Sequence, residues 1–220
     1  KAEAGGKSQV TIAGLSVDAT PNTASIRANL GAVLSNPAVR FGCVMAFAAY
    51  SYYLFMNSWL PSYLAAEFGT TPALSGVLAS VFPAMGILAR PAGGAGSDRL
   101  LGRRRLPILR AAFLISLPIV GIVAVTREVA VVLGSLVVAG FVIQLTFGVV
   151  YSYVRESVGP AVTGTALSFL TTAGIFGAFS SPLVTGGLID YSGRYVTAFA
   201  YAAVLTGLGF ALAVIAPESR

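Results

Sequence analysis

The chain has 220 residues, 10% of them charged and 56% hydrophobic, and a formal net charge of +6. A soluble domain carries roughly a quarter charged residues, so this composition, with a mean hydropathy of +0.82, excludes an ordinary soluble enzyme and points to a chain that sits in lipid. Histidine is absent and the single Cys43 lies in apolar sequence, so no disulfide framework, no metal site and no cofactor is expected. The positive charges stand at the ends of apolar segments, where membrane topology accounts for them, and nucleic acid is not expected as a partner.

Residues 1–36 are polar, small and Gly/Ser/Thr-rich, without the apolar core of a signal peptide. With Lys rather than Met at position 1, the chain reads either as a piece of something longer or as a processed terminus. Six apolar segments follow, at Val39–Leu64, Pro72–Ala95, Leu106–Val125, Val129–Tyr153, Val162–Ile189 and Tyr195–Ala216. Each has about 20 residues or more, enough to cross ~30 Å as a helix. Asn36-Pro37 marks the first helix start, and the short connections predict antiparallel neighbours in a bundle.

The basic residues predict an orientation. With the N-terminal segment cytoplasmic, the inner side holds Lys1, Lys7, Arg27, Arg40, Arg99, Arg103, Arg104, Arg105, Arg110, Arg155 and Arg220, and the outer loops only Arg127 and Arg194. Both termini are then cytoplasmic, in a multi-pass protein of the cell membrane. Gly and Pro recur inside the spans (Pro83, Gly86, Pro91, Gly93, Gly94, Pro118, Gly174, Gly177, Pro182). Bilayer helices tolerate them, and small residues such as Gly177 and Ser181 let helices approach closely.

Arg40 and Arg110 lie near the ends of their spans, whereas Arg90 is a charge inside apolar span sequence. Its cost in hydrocarbon requires a cavity or a partner. Gly86, Arg90, Gly94 and Asp98 repeat at four-residue spacing, one stripe of a helix, and the flanking glycines would leave the guanidinium room to meet an oxyanion. The other reading is snorkelling toward the inner headgroups, disfavoured because helical side chains lean toward the helix N-terminus, here deeper into the membrane. Tyr53 and Asn57 on the first span, with Tyr50, and Gln144 and Tyr151 on the fourth each share a helical face. Substrate contact and interhelical hydrogen bonding explain them equally. We take Arg90, Tyr53, Asn57, Gln144 and Tyr151 as the candidate substrate contacts.

Between the second and third spans stands Gly94-Ala-Gly-Ser-Asp98-Arg99-Leu-Leu-Gly102-Arg103-Arg104-Arg105. It resembles the signature loop of the major facilitator superfamily of transporters: Gly, three residues, Asp, a basic residue, one residue, Gly, then a basic cluster. Gly94, Asp98, Arg99, Gly102, Arg103 and Arg104 match, with one extra Leu before Gly102. Arg90-Pro-Ala-Gly-Gly-Ala-Gly-Ser-Asp98-Arg99 is similar to the eighth span of nitrate/nitrite porters, where such an Arg binds the anion, and to stretches in relatives of the oxalate/formate exchangers. The fifth span, Thr172-Ala-Gly-Ile-Phe-Gly-Ala-Phe, lacks the Asn those porters carry there, so the resemblance implies a small anion without fixing nitrate. Pro217-Glu218-Ser219 resembles the ending that follows the family's last span.

The resemblance implies an all-α membrane protein, a six-transmembrane-helix bundle forming the C-terminal half of a twelve-span fold. Residues 1–36 would be a cytoplasmic, partly disordered linker and 37–220 the bundle, its third and sixth spans facing lipid. The implied partners are the bilayer, a missing N-terminal six-span half and a small-molecule substrate. The implied function is secondary active transport, by alternating access, of a small solute, with the signature loop latching the halves. A six-span protein that does not transport, serving as a structural or regulatory half-bundle, is the alternative. An enzyme is not expected, since no Ser/Lys dyad or buried acid pair is visible.

Overall fold

The computed structural model describes residues 9–12, 15–18, 23–100 and 104–218, with side chains from residue 29 to 96 and from 104 onward. Ahead of the bundle, β1 (Gln9–Ile12) pairs antiparallel with β2 (Leu15–Asp18), Ile12 opposite Leu15 and Gln9 opposite Asp18. The sequence reading did not foresee this ladder, although Val10, Ile12, Leu15 and Val17 alternate as a strand pair should. Helix α1 (Thr23–Ser35) then leads into the membrane-spanning part.

The spans are α2 (Pro37–Phe68), α3 and α4 together (Pro72–Ala84, Gly86–Leu100), α5 (Leu106–Val125), α6 (Val129–Glu156), α7 (Thr163–Ser192, after a single 3-10 turn at Pro160–Val162) and α8 (Tyr195–Ile215). All six are long and apolar enough to cross a bilayer. Their starts obey local chemistry. The Asn36 side chain accepts from the backbone N–H of Ala38 and Val39 with Pro37 in the first turn, and Thr71 caps α3 ahead of Pro72. Helices α2 and α7 stop at Gly69 and Gly193, both left-handed with φ 63° and 65°.

The second span is broken. Helix α3 ends at Ala84 and α4 begins at Gly86, with Met85 between them. Pro83 supplies no N–H to its own turn, which loosens the ladder just ahead of the break.

Two helices form the centre. Helix α2 packs on α7, α8, α3 and α6, and α6 packs on α4, α5, α2 and α3. The α2–α7 contact is a close approach of small residues. Gly174, Gly177, Ser181 and Thr185 form the buried stripe of α7, and a methyl on Gly177 would overlap the Phe47 carbonyl oxygen. Ser181 Oγ donates to the Ser51 carbonyl at 2.7 Å, so the pairing expected of Gly177 and Ser181 is present. Large side chains, among them Met45, Tyr52, Phe55, Phe113 and Leu136, fill the rest of the core.

The ends of the helices near Asn36 and Pro217 are stitched by side chains. Asn36 Nδ2 donates to the Ser157 carbonyl at 2.9 Å, Arg110 Nε to that of Ala213 at 2.8 Å, and Tyr153 Oη to that of Pro217 at 2.7 Å. The latter two satisfy carbonyls at or beyond the end of α8 that have no helical partner. Apolar exposure is not confined to the third and sixth spans. Ile87, Phe176, Phe179 (71% exposed) and Leu183 stand outward on α4 and α7, and the second and fifth spans are the least buried of the six. Polarity along the sequence did not separate these faces, because a helix that meets lipid and one that meets another apolar bundle have the same composition.

Candidate functional site

Helices α3 and α4 lie against α6 through glycines. A methyl on Gly140 would overlap the Phe82 carbonyl of α3, one on Gly93 of α4 would stand 2.7 Å from the Leu145 carbonyl oxygen, and Gly148 faces the Arg90 carbonyl. This close approach sets Arg90 beside Gln144. Arg90 Nη2 donates to Gln144 Oε1 at 3.4 Å, and the guanidinium carbon sits 5.6 Å from the centre of the Phe147 ring. Arg90 itself is exposed. Among the described residues no carboxylate lies within ion-pair distance of it, since the two described ion pairs are Arg105–Glu156 and Arg127–Glu67.

Gln144 is fully buried, and its Nε2 donates to the carbonyls of Phe82 (3.1 Å), Pro83 (3.3 Å) and Gly140 (3.1 Å). Three surrounding carbonyls admit only the NH2 end of the amide, so its oxygen is the end that faces Arg90. That oxygen fills the space over Gly86, where a methyl would overlap it. The glycine expected to leave room for a ligand therefore makes room for Gln144. Gly94, one turn along, has open space around its Cα.

Around Phe147 lies an aromatic shelf. Tyr50 stacks on it at 4.4 Å, Tyr53 meets it edge-on at 5.3 Å, and Tyr53 also lies 5.6 Å from Phe82. Tyr53 thus joins the Arg90 cluster through Phe147. The other two candidates flank it. Asn57 is one turn toward the opposite end of α2 and gives its Nδ2 to its own helix at the Tyr53 carbonyl, 2.8 Å away. Tyr151 is one turn beyond Phe147 and bonds Thr171 across to α7 at 2.9 Å. Thr171 already donates to the Leu167 carbonyl, so Tyr151 is the donor and its oxygen keeps its lone pairs for another partner. Phe147 escaped the sequence reading because aromatic residues in an apolar span carry no signal of their own. Its spacing of three from Gln144 was the available hint.

The signature loop is described in part. Gly94 is in α4, and Asp98 and Arg99 are in its last turn, their side chains outside the described residues, as are Gly102 and Arg103 altogether. Arg104 is exposed. Arg105, read as one more inner anchor, is instead 4% exposed and meets Glu156 at the end of α6 with two bonds, Nε to Oε2 at 3.0 Å and Nη2 to Oε1 at 2.7 Å.

Residues 41–220 match the family model described as Major Facilitator Superfamily. The chain belongs to that superfamily. This superfamily member is an integral, multi-pass membrane protein of a transporter family. It is 26% identical over 184 residues to the nitrite extrusion protein of Bacillus subtilis (strain 168), covering 80% of this chain and 43% of that one. It is 27% identical to the hexuronate transporter of the same organism, covering 70% and 39%. To the cis,cis-muconate transport protein of Acinetobacter baylyi (strain ATCC 33305 / BD413 / ADP1) it is 28% identical, covering 70% and 36%. The chain thus spans less than half the length of each relative. In fold it is similar to the superfamily transporter FucP in the outward conformation (TM-score 0.75, 19% identity, 89% of this chain and 46% of that one). It is also similar to the peptide transporter POT in complex with alafosfalin (TM-score 0.73, 20% identity, 84% and 41%).

Proposed function

We propose that this superfamily member is the C-terminal half of a secondary active transporter that moves a small anion across the cell membrane by alternating access. The observation that carries the reading is Arg90, a cation within a span, exposed and held by an uncharged amide, with no carboxylate in ion-pair distance among the described residues. A guanidinium held in this way offers a planar fork of donors to a carboxylate or nitrite-type oxyanion. The names of the three curated relatives support the same class, because nitrite, hexuronate and muconate are all anions. Tyr53 and Tyr151 would line the substrate's path, with Asn57 at one edge. A first six-span half would close over the site, residues 1–36 would form the linker to that half, and both termini would be cytoplasmic. Asp98, Arg99 and the basic cluster would latch the halves at the inner surface.

The test is binding to the complete gene product in lipid nanodiscs, with nitrite, nitrate, glucuronate and cis,cis-muconate as probes. Arg90→Gln should weaken the anion bound by the parent by roughly 1.5–3 kcal/mol, about 10- to 150-fold, as expected for loss of a charge-assisted contact. Unchanged affinity would remove Arg90 from the site. For orientation, cysteines placed at Thr70 and Ser192 in a Cys43→Ser background should label from outside intact cells and one at Leu101 should not. Labelling at Leu101 would reverse the topology.

A further inference from the structure

We infer that Gln144 is a positioning residue for Arg90, and that one amide joins the break in the second span to the ligand-facing charge. The inference rests on the anion reading of Arg90 and adds to it a residue that acts without touching the substrate. Its NH2 end is fixed by two carbonyls of the α3 end, Phe82 and Pro83, and by Gly140 of its own helix. Where α3 stops at Ala84 the regular four-residue ladder is interrupted, and carbonyls in that last turn need outside donors. Gln144 supplies them from the neighbouring helix.

With the NH2 end fixed, the oxygen cannot turn away. Gly86 leaves the gap in which it sits, and Arg90, one turn further along α4, donates to it. At 3.4 Å this bond is long for one involving a charged donor. It therefore sets the direction of the guanidinium more than it neutralises it. An amide adds no charge, so the remaining N–H groups of Arg90 keep their full attraction for an anion. A carboxylate in the same place would compete with the substrate. Any change in the angle between α3 and α4 moves the carbonyls that hold the amide, and with them the oxygen that aims Arg90.

The experiment is a double-mutant cycle on the complete transporter, using Gln144→Met, Arg90→Gln and the pair, with cis,cis-muconate, glucuronate and nitrite as probes. Gln144→Met fills a similar volume and can neither donate nor hold Arg90. It should weaken anion affinity about tenfold in the parent and have no further effect once Arg90 is gone, while its loss of thermal stability persists in both backgrounds. A merely structural role predicts equal losses of affinity in both backgrounds, and that outcome overturns the inference. If Arg90→Gln alone leaves affinity unchanged, the anion reading fails, and the inference is then judged without a ligand. Phenylglyoxal modification of Arg90, followed by peptide mass spectrometry against exposed Arg194, should be at least about threefold faster in Gln144→Met, because the hydrogen bond that occupies one guanidinium nitrogen has been removed. Gly86→Ala, whose methyl would displace the amide from the other helix, should act likewise. Parent-like rates at Arg90 in both variants overturn the inference whatever the anion results.

Discussion

Arg105 and Arg90 stand on either side of the second-to-third-span connection and are treated in opposite ways. Arg105, at the start of α5, is buried and held by a two-bond pair with Glu156. Arg90, inside a span, is open and meets an amide and an aromatic ring. The same guanidinium is thus a rivet where it meets a carboxylate and a candidate ligand holder where it meets an amide. The deciding factor is what the facing helix offers: α6 presents Glu156 at its end and Gln144 in its middle. Burial alone would single out Arg105, whereas the proposed function rests on Arg90.

The comparison can be broken most forcefully at the rivet. Glu156→Gln weakens the two charge-assisted bonds of a buried guanidinium and should destabilise the bundle by about 2–3 kcal/mol, somewhat below the usual cost of a broken buried pair because Glu156 is itself partly exposed. Thermal unfolding in detergent measures it, and a parent-like melting temperature would mean that Arg105 is an ordinary surface anchor. Next comes Gly93→Ala, which inserts a methyl against the Leu145 backbone. It should cost roughly 1–3 kcal/mol through overpacking and weaken anion binding as well, since α4 must move away from α6. Stability lost with affinity intact would uncouple the helix contact from the site.

A smaller effect separates charge from shape. Arg90→Lys keeps the charge and loses the planar fork, so affinity should fall about tenfold, or ~1.4 kcal/mol, with unfolding unchanged. Parent-like affinity there would favour a simple point charge, or a side chain that snorkels. At the far end of the scale is Arg127, whose pair with Glu67 lies at the opposite ends of the spans and is exposed. Arg127→Gln should leave the melting temperature where it was, and a clear drop would show that exposure is a poor guide to ion pairs here as well.

The spans were legible because charges are excluded from hydrocarbon and mark its edges. Their observed limits differ from the expected ones by a few residues, as where α2 runs on from Leu64 to Phe68. Arg90 was legible for the same reason, as a charge where none belongs. The geometry around it was not. Pro83 hinted at the break at Met85, yet proline is common in membrane helices that stay continuous, as Pro61 and Pro182 do here. Gln144 could be seen as a polar residue in a span, but nothing local says that it faces the carbonyls of a helix some sixty positions earlier. The Arg105–Glu156 pair was hidden likewise, each partner looking like an unremarkable residue at the end of its helix. Sequence pattern records where water ends, and the pairing of helices across the bundle leaves no periodic trace.

The contact between α2 and α7 has a consequence for how the protein is made. The serine that closes it, Ser181, is 130 residues later in the chain than its acceptor, Ser51. At ~5–20 residues per second, a ribosome needs roughly 6 to 26 seconds to cover that distance. Throughout that interval the first span is already in the membrane with its tightest neighbour unwritten, and the backbone that Gly177 will approach most closely is covered by lipid or by the insertion machinery. The bundle is therefore completed from its last third, and a chain that stalls before α7 leaves its central helix with an uncovered face.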